Sequence, residues 1–114
     1  MTLIAPDRPE LDRIRVLRSK NAGPFAWTFD IVFREHGDFI KATRALTPAA
    51  VARAYAVPIA DVLSTNTIES LNAIKVSLRR PRPAGHPGDS DCYGMNQEEP
   101  LARFLCDLLV GQRQ

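Results

Sequence analysis

Cysteine is nearly missing from this chain: Cys92 and Cys106 are the two in 114 residues, far below the density of a disulfide framework and without the spacing of a thiolate metal site. Both are expected to be reduced thiols. Histidine is equally sparse. His36 and His86 stand far apart with no companion ligand spacing, so no zinc site is read. No apolar run approaches the roughly 20 residues of a membrane-spanning helix. The opening residues, Met1-Thr2-Leu3-Ile4-Ala5-Pro6, lack the basic start and long apolar stretch of a secretory signal, so a cytoplasmic location is expected. A dominant charge is lacking too: 15 Lys and Arg against 13 Asp and Glu leave a formal net charge of +2, too little to imply nucleic-acid binding. There is no internal repeat and no low-complexity segment.

What is present describes an ordinary folded domain, with 45% hydrophobic and 25% charged residues. A chain of this length buries about two thirds of its unfolded surface in one modest core. Residues 1–10, with two prolines and little periodicity, read as an extended arm ahead of a single domain over 11–114. The basic residues cluster: Arg13, Arg15, Arg18 and Lys20 form one group, and Arg79, Arg80 and Arg82 another. Solvated strand edges, where cations discourage unwanted pairing, explain such groups; an anion site is the alternative. The tract Arg79-Arg80-Pro81-Arg82-Pro83 has no accompanying RNA-binding motif.

Periodicity predicts the elements. A first strand is expected between Leu11 and Arg18, around Ile14-Arg15-Val16-Leu17. Trp27, Phe29, Ile31 and Phe33 then alternate with Thr28, Asp30 and Val32, a period of two that buries one face of a strand. Core packing explains this aromatic stripe better than a stacking platform for bases. Asp38 is expected to cap a short helix carrying Phe39, Ile40 and Leu46 inward, and Thr47-Pro48 starts a second over 49–56. After a turn at 59–62, strands are expected over 63–69 and 73–79, antiparallel across a tight turn. Residues 83–96 form a long loop without periodicity, and Glu99-Pro100 opens a helix with Leu101, Phe104, Leu105, Leu108 and Leu109 on one face, closed by Gly111. The order implies an α+β domain: a largely antiparallel sheet covered on one face by helices.

Two polar stretches stand out against this scaffold, Arg18-Ser19-Lys20-Asn21-Ala22-Gly23-Pro24-Phe25 and Pro87-Gly88-Asp89-Ser90-Asp91-Cys92-Tyr93-Gly94. Lys20 offers charge, Asn21 oriented donors, and Gly23 close backbone approach, a combination suited to a carboxylate or phosphate. Its structural alternative is a strand-end loop whose Asn caps its own turn. Asp89 and Asp91 with Tyr93 have the chemistry of general acid or base groups or of a hard-cation site, although Pro-Gly-Asp segments commonly make Asx turns. Asp30 is expected to pair with a nearby arginine. Ser19 has neither a nearby histidine nor a strained strand-to-helix turn, so a serine triad is rejected.

Taken in order with Thr28-Phe29-Asp30-Ile31-Val32-Phe33, Leu46-Thr47-Pro48 and Ala73-Ile74-Lys75-Val76, these two stretches resemble a small bacterial family associated with acyclic-terpene-utilisation AtuA-like proteins. The resemblance runs from about Leu11 to Leu101 and implies a sheet of the ferredoxin-like kind. It also implies a small partner, encoded beside or fused behind an AtuA-like large subunit, in the breakdown of terpenoid, branched or small organic acids. Carried over by the resemblance, the substrate- or partner-binding positions are Arg18, Ser19, Lys20, Asn21, Asp89, Asp91, Tyr93 and Gln97, with Asp30 among the polar positions. Cys92 stands where valine is expected, which argues against a nucleophilic thiol. No catalytic residue, metal or cofactor is assigned. A stand-alone hydro-lyase or isomerase using Lys20 and Asp89 or Asp91, and a structural assembly protein, are the alternatives. An anionic small molecule and a second copy of the chain remain open as partners.

Overall fold

The computed structural model describes residues 9–80 and 97–110. A 3-10 turn, Pro9–Arg13, leads into strands β1 (Ile14–Asn21) and β2 (Ala26–Phe33), helices α1 (His36–Ala45) and α2 (Pro48–Tyr55), strands β3 (Val62–Ile68) and β4 (Ala73–Arg79), and helix α3 (Glu99–Val110). The four strands form one sheet in the order β1-β2-β4-β3, antiparallel at every step. Because β2 and β3 both run antiparallel to the β4 between them, they are parallel to each other. The unit β2-α1-α2-β3 is therefore a split βαβ. That is the ferredoxin-like sheet order with one change: the strand beside β2 comes from the N-terminal end of the chain rather than following the last helix.

β2 is central because its alternation is the strongest in the chain. Phe29 and Ile31 are completely buried and Phe33 nearly so. Opposite them in register, β4 contributes Val76 and Ile74, and the helices close the layer with Phe39, Ala42, Val51, Leu101, Leu105 and Leu109. Thr47 caps α2 by accepting the Ala50 amide at 3.1 Å, with Pro48 in its first turn. Ala56 ends that helix in the left-handed conformation, at φ 55°. Phe104 and Leu108 flank the buried stripe of α3 and pack against the core while partly exposed.

Three local expectations are corrected. β1 continues to Asn21, so Arg18, Ser19, Lys20 and Asn21 are strand residues rather than loop residues. α1 begins at His36 with Glu35 at its N-cap and no side-chain cap. Asp38 is instead buried within the first turn, paired in a bidentate contact with Arg13, whose Nη1 also donates to the Leu109 carbonyl at 3.3 Å. Pro9 and Glu10 belong to the folded body rather than an arm: Glu10 is buried, and its Oε1 accepts from Cys106 Sγ at 3.5 Å. Gly23 has φ +77°, and a Cβ there would meet nothing within 4 Å. The turn needs a residue that tolerates positive φ. Gly111 lies outside the described residues.

Truncating Phe29 to Ala is expected to cost about 3 to 5 kcal/mol, as for other fully buried aromatics. Equilibrium denaturation measures it, and a loss below about 1 kcal/mol would contradict the packing described.

Candidate functional site

Strand alternation divides the first polar stretch between two environments. Successive side chains of β1 point to opposite sheet faces. Ser19 pairs with Phe29 in register and shares its helix-covered face, whereas Lys20 pairs with Thr28 and Arg18 with Asp30 on the other. On the covered side Ser19 is 4% exposed. Its hydroxyl donates to Glu98 Oε1 at 3.0 Å and accepts the Gln97 amide at 3.1 Å. The phenol of Tyr55, at the end of α2, donates to the Gln97 carbonyl at 2.7 Å. The Glu98 carbonyl takes the Ala102 amide at 2.8 Å, which makes Glu98 the N-cap residue of α3. One small polar cluster thus fastens the start of α3 to β1 and α2.

The electrostatics of the cluster follow from its burial. The pKa of Tyr55 is raised well above its usual value near 10, chiefly by desolvation; hydrogen bonding at the Leu101 backbone opposes the shift, and the charge of Glu98 adds to it. Its ring packs 5.2 Å from that of Phe29. The phenol is a neutral donor held in place by the Gln97 carbonyl.

Beside this cluster Asn21 accepts a hydrogen bond from Arg80 Nη1. Arg80 is itself buried, its guanidinium 5.2 Å from the centre of the Trp27 ring, and its amide donates to the Phe25 carbonyl at 2.9 Å. A buried cation needs such company. Trp27 Nε1 is buried and has no hydrogen-bond partner among the described residues.

No described helix covers the opposite face. Lys20, Thr28, Ser77 and Ser64 follow one another in register across all four strands, and Arg18, Asp30, Lys75 and Asn66 make the next row. Arg18 Nε lies 3.3 Å from Asp30 Oδ2. Lys20 and Lys75 are exposed. Between them in space, Thr28 Oγ1 is buried without a hydrogen-bond partner among the described residues. The result is a flat face of cations and hydroxyls interrupted by one carboxylate.

Of the residues singled out in the sequence, Ser19, Asn21 and Gln97 sit on the covered side, with Gln97 contributing its backbone. Arg18 and Lys20 sit on the open side. Asp89, Asp91 and Tyr93 lie outside the described residues, as does Arg82. Three participants were missed. Arg80 continues the inward alternation of Ile74, Val76 and Leu78, so its burial was readable. Tyr55 has an apolar ring and a polar tip that needs a partner when buried. Glu98 carried no signal beyond its place before Glu99-Pro100.

A shallow groove of about 530 Å³ is lined by Gly37, Ile40, Lys41, Arg44, Ala45 and Leu108, none of them a predicted site residue. Among the described residues no group of three or more His, Cys, Asp or Glu side chains converges to hold a metal ion. No helix there is long and apolar enough to cross a membrane.

Fold and site together define a small α+β domain with a split βαβ sheet, a polar lock under one end and a basic face that no described helix covers. The chain belongs to the family described as a domain of unknown function, DUF4387, whose profile matches residues 11–105. Comparison with curated proteins and with solved structures returns no match.

Tyr55→Phe removes a group that stays protonated in the folded chain while ionising near its usual value of 10 in the unfolded one. Above pH 10 the folded state therefore holds more protons than the unfolded state, and stability contributed by Tyr55 falls as pH rises. Thermal midpoints of the two proteins are expected to converge above pH 10, after a gap at pH 7 equivalent to about 1 kcal/mol for the lost hydrogen bond. A gap independent of pH would contradict the neutral-donor role.

Proposed function

We propose that this protein is a small accessory subunit that completes or regulates the site of an AtuA-like large subunit acting on terpenoid, branched or small organic acids. The observation that carries the reading is the sheet face that no described helix covers, where Lys20 and Lys75 stand exposed near in-register hydroxyls and Thr28 Oγ1 is buried without a hydrogen-bond partner among the described residues. Scaffold duty explains Ser19 and Gln97, which are engaged in holding α3, and Asn21, which is engaged with Arg80. It leaves Lys20 without a folding role. An exposed ammonium contributes little to stability in isolation, yet it gains much from an oriented anionic partner, either the carboxylate of an acid substrate or an acidic patch on the large subunit.

The division of labour favours an accessory role over independent catalysis. Lys20 and Lys75 project from a flat sheet, and a concave site for a small acid would form when a second surface faces them. Asp89, Asp91 and Tyr93 follow β4 in the chain and precede α3; in this reading they complete the recognition surface.

Co-expression with an AtuA-like large protein tests the reading. The two are expected to co-purify, and Lys20→Met is expected to weaken association or acid binding by about tenfold, the value of one charge-assisted contact. The same substitution is expected to leave the thermal midpoint of the isolated chain nearly unchanged, because exposed substitutions usually alter stability by less than about 0.5 kcal/mol. Failure of two folded proteins to associate would overturn the proposal. Strong destabilisation with recognition intact would make Lys20 a structural residue.

A further inference from the structure

We infer that β3 is a self-association edge, through which two copies of this chain pair antiparallel to form one eight-stranded sheet. The two edges of the sheet differ in how they are protected. β1 carries Arg15, Arg18 and Lys20 along its length, the kind of charge that keeps an edge from pairing. β3, Val62-Leu63-Ser64-Thr65-Asn66-Thr67-Ile68, has no charged residue and no proline. It has one irregularity, between Val62 and Ser64, and regular pairing to β4 from Ser64 to Ile68. Residues 66–68 are exposed.

Exposed apolar side chains concentrate at the same edge. Leu63 and Ile68 lie on β3, and Ile59 and Leu71 on the 3-10 turns that bracket it; these four are between 45% and 60% exposed. The flanking carboxylates are already engaged. Asp61 Oδ1 lies 3.4 Å from Arg79 Nε, and Glu69 Oε2 lies 3.6 Å from His36 Nε2.

The occupant that fits is a second copy. A two-fold axis normal to the sheet keeps covered face with covered face and open face with open face. Because the side-chain period is two, such an axis must pass through a residue position rather than between two. At Asn66, it sets Ser64 against Ile68, Thr65 against Thr67 and Asn66 against its own copy, with no like charges opposed. Two copies of β1 joined in the same way would oppose their cations. Strand addition also satisfies the outward backbone groups of β3 that no described strand pairs. The helices, α2 among them, stay on one side of the joined sheet, and the basic faces of the two copies become one continuous surface.

Sedimentation equilibrium of the isolated full chain tests this. The expected mass is twice the 12.7 kDa of the monomer. Asn66→Lys places two like charges at the junction and is expected to raise the dissociation constant by about tenfold or more, with the far-UV spectrum unchanged. Asn66→Glu is expected to do the same, and an equimolar mixture of the two variants to recover the dimer, since the charges then attract across the axis. Arg18→Glu, on the opposite edge strand, is expected to leave the mass at twice the monomer. A monomeric wild-type chain would overturn the proposal, as would a dimer insensitive to both Asn66 variants or one dissociated by Arg18→Glu. Should the Lys variant fail to fold, recovery of the dimer on mixing Asn66→Glu with wild type would count for the two-fold contact, and no recovery against it.

Discussion

The hydroxyl of Ser19 ties the end of β1 directly to the start of α3. It donates to a buried carboxylate and accepts the backbone amide of the preceding residue, both from the start of α3, nearly eighty positions later in the sequence. α3 supplies Leu101, Leu105 and Leu109 to the core, so its position decides whether the sheet is covered. Without the hydroxyl, Glu98 would sit buried with one fewer hydrogen bond, a costly state for a carboxylate. The apolar stripe makes α3 pack; the polar lock says where it begins.

That lock has a consequence on the other side of the sheet. Once Ser19 and Asn21 are turned inward, Arg18 and Lys20 must face outward, because neighbouring side chains of a strand cannot share a face. Arg18 is held by Asp30, leaving Lys20 in a row of hydroxyls. A residue committed to the fold and a residue available for recognition thus occur next to each other. The same alternation separates the roles of Arg79 and Arg80: the first pairs with Asp61 near the sheet edge, and the second lies buried against Trp27.

Much of this was legible from periodicity. The β2 stripe, the Thr47-Pro48 helix start, β4 and the apolar face of α3 all rest on strong local patterns that tertiary packing reinforces. The failures have equally specific causes. Arg18-Ser19-Lys20-Asn21 looks like a loop because it is polar throughout, yet it is a strand whose inward positions happen to be hydrogen-bonded rather than apolar. Asp38 looks like a cap because Asp often is one, but its half-buried partner Arg13 outcompetes the helix terminus. Ser19 was marked as a polar site residue by resemblance; its partner Glu98 sits too far away in sequence for any local signal to link them. What periodicity cannot report is long-range polar pairing, and the inner half of the candidate site consists of little else.

The central claim is that Ser19 fastens α3, and amide hydrogen exchange at Gln97 measures it most directly. That amide has its acceptor in the Ser19 hydroxyl, just ahead of the helix. In the wild-type chain it is predicted to exchange slowly, at a rate near that of the α3 core. In Ser19→Ala it is predicted to exchange at least about tenfold faster, consistent with the loss of roughly 1 to 2 kcal/mol of local protection, while the amides of Phe29 and Val76 on the central strands keep their order of protection. An unprotected Gln97 amide in the wild type, or protection unchanged in Ser19→Ala, would contradict the account.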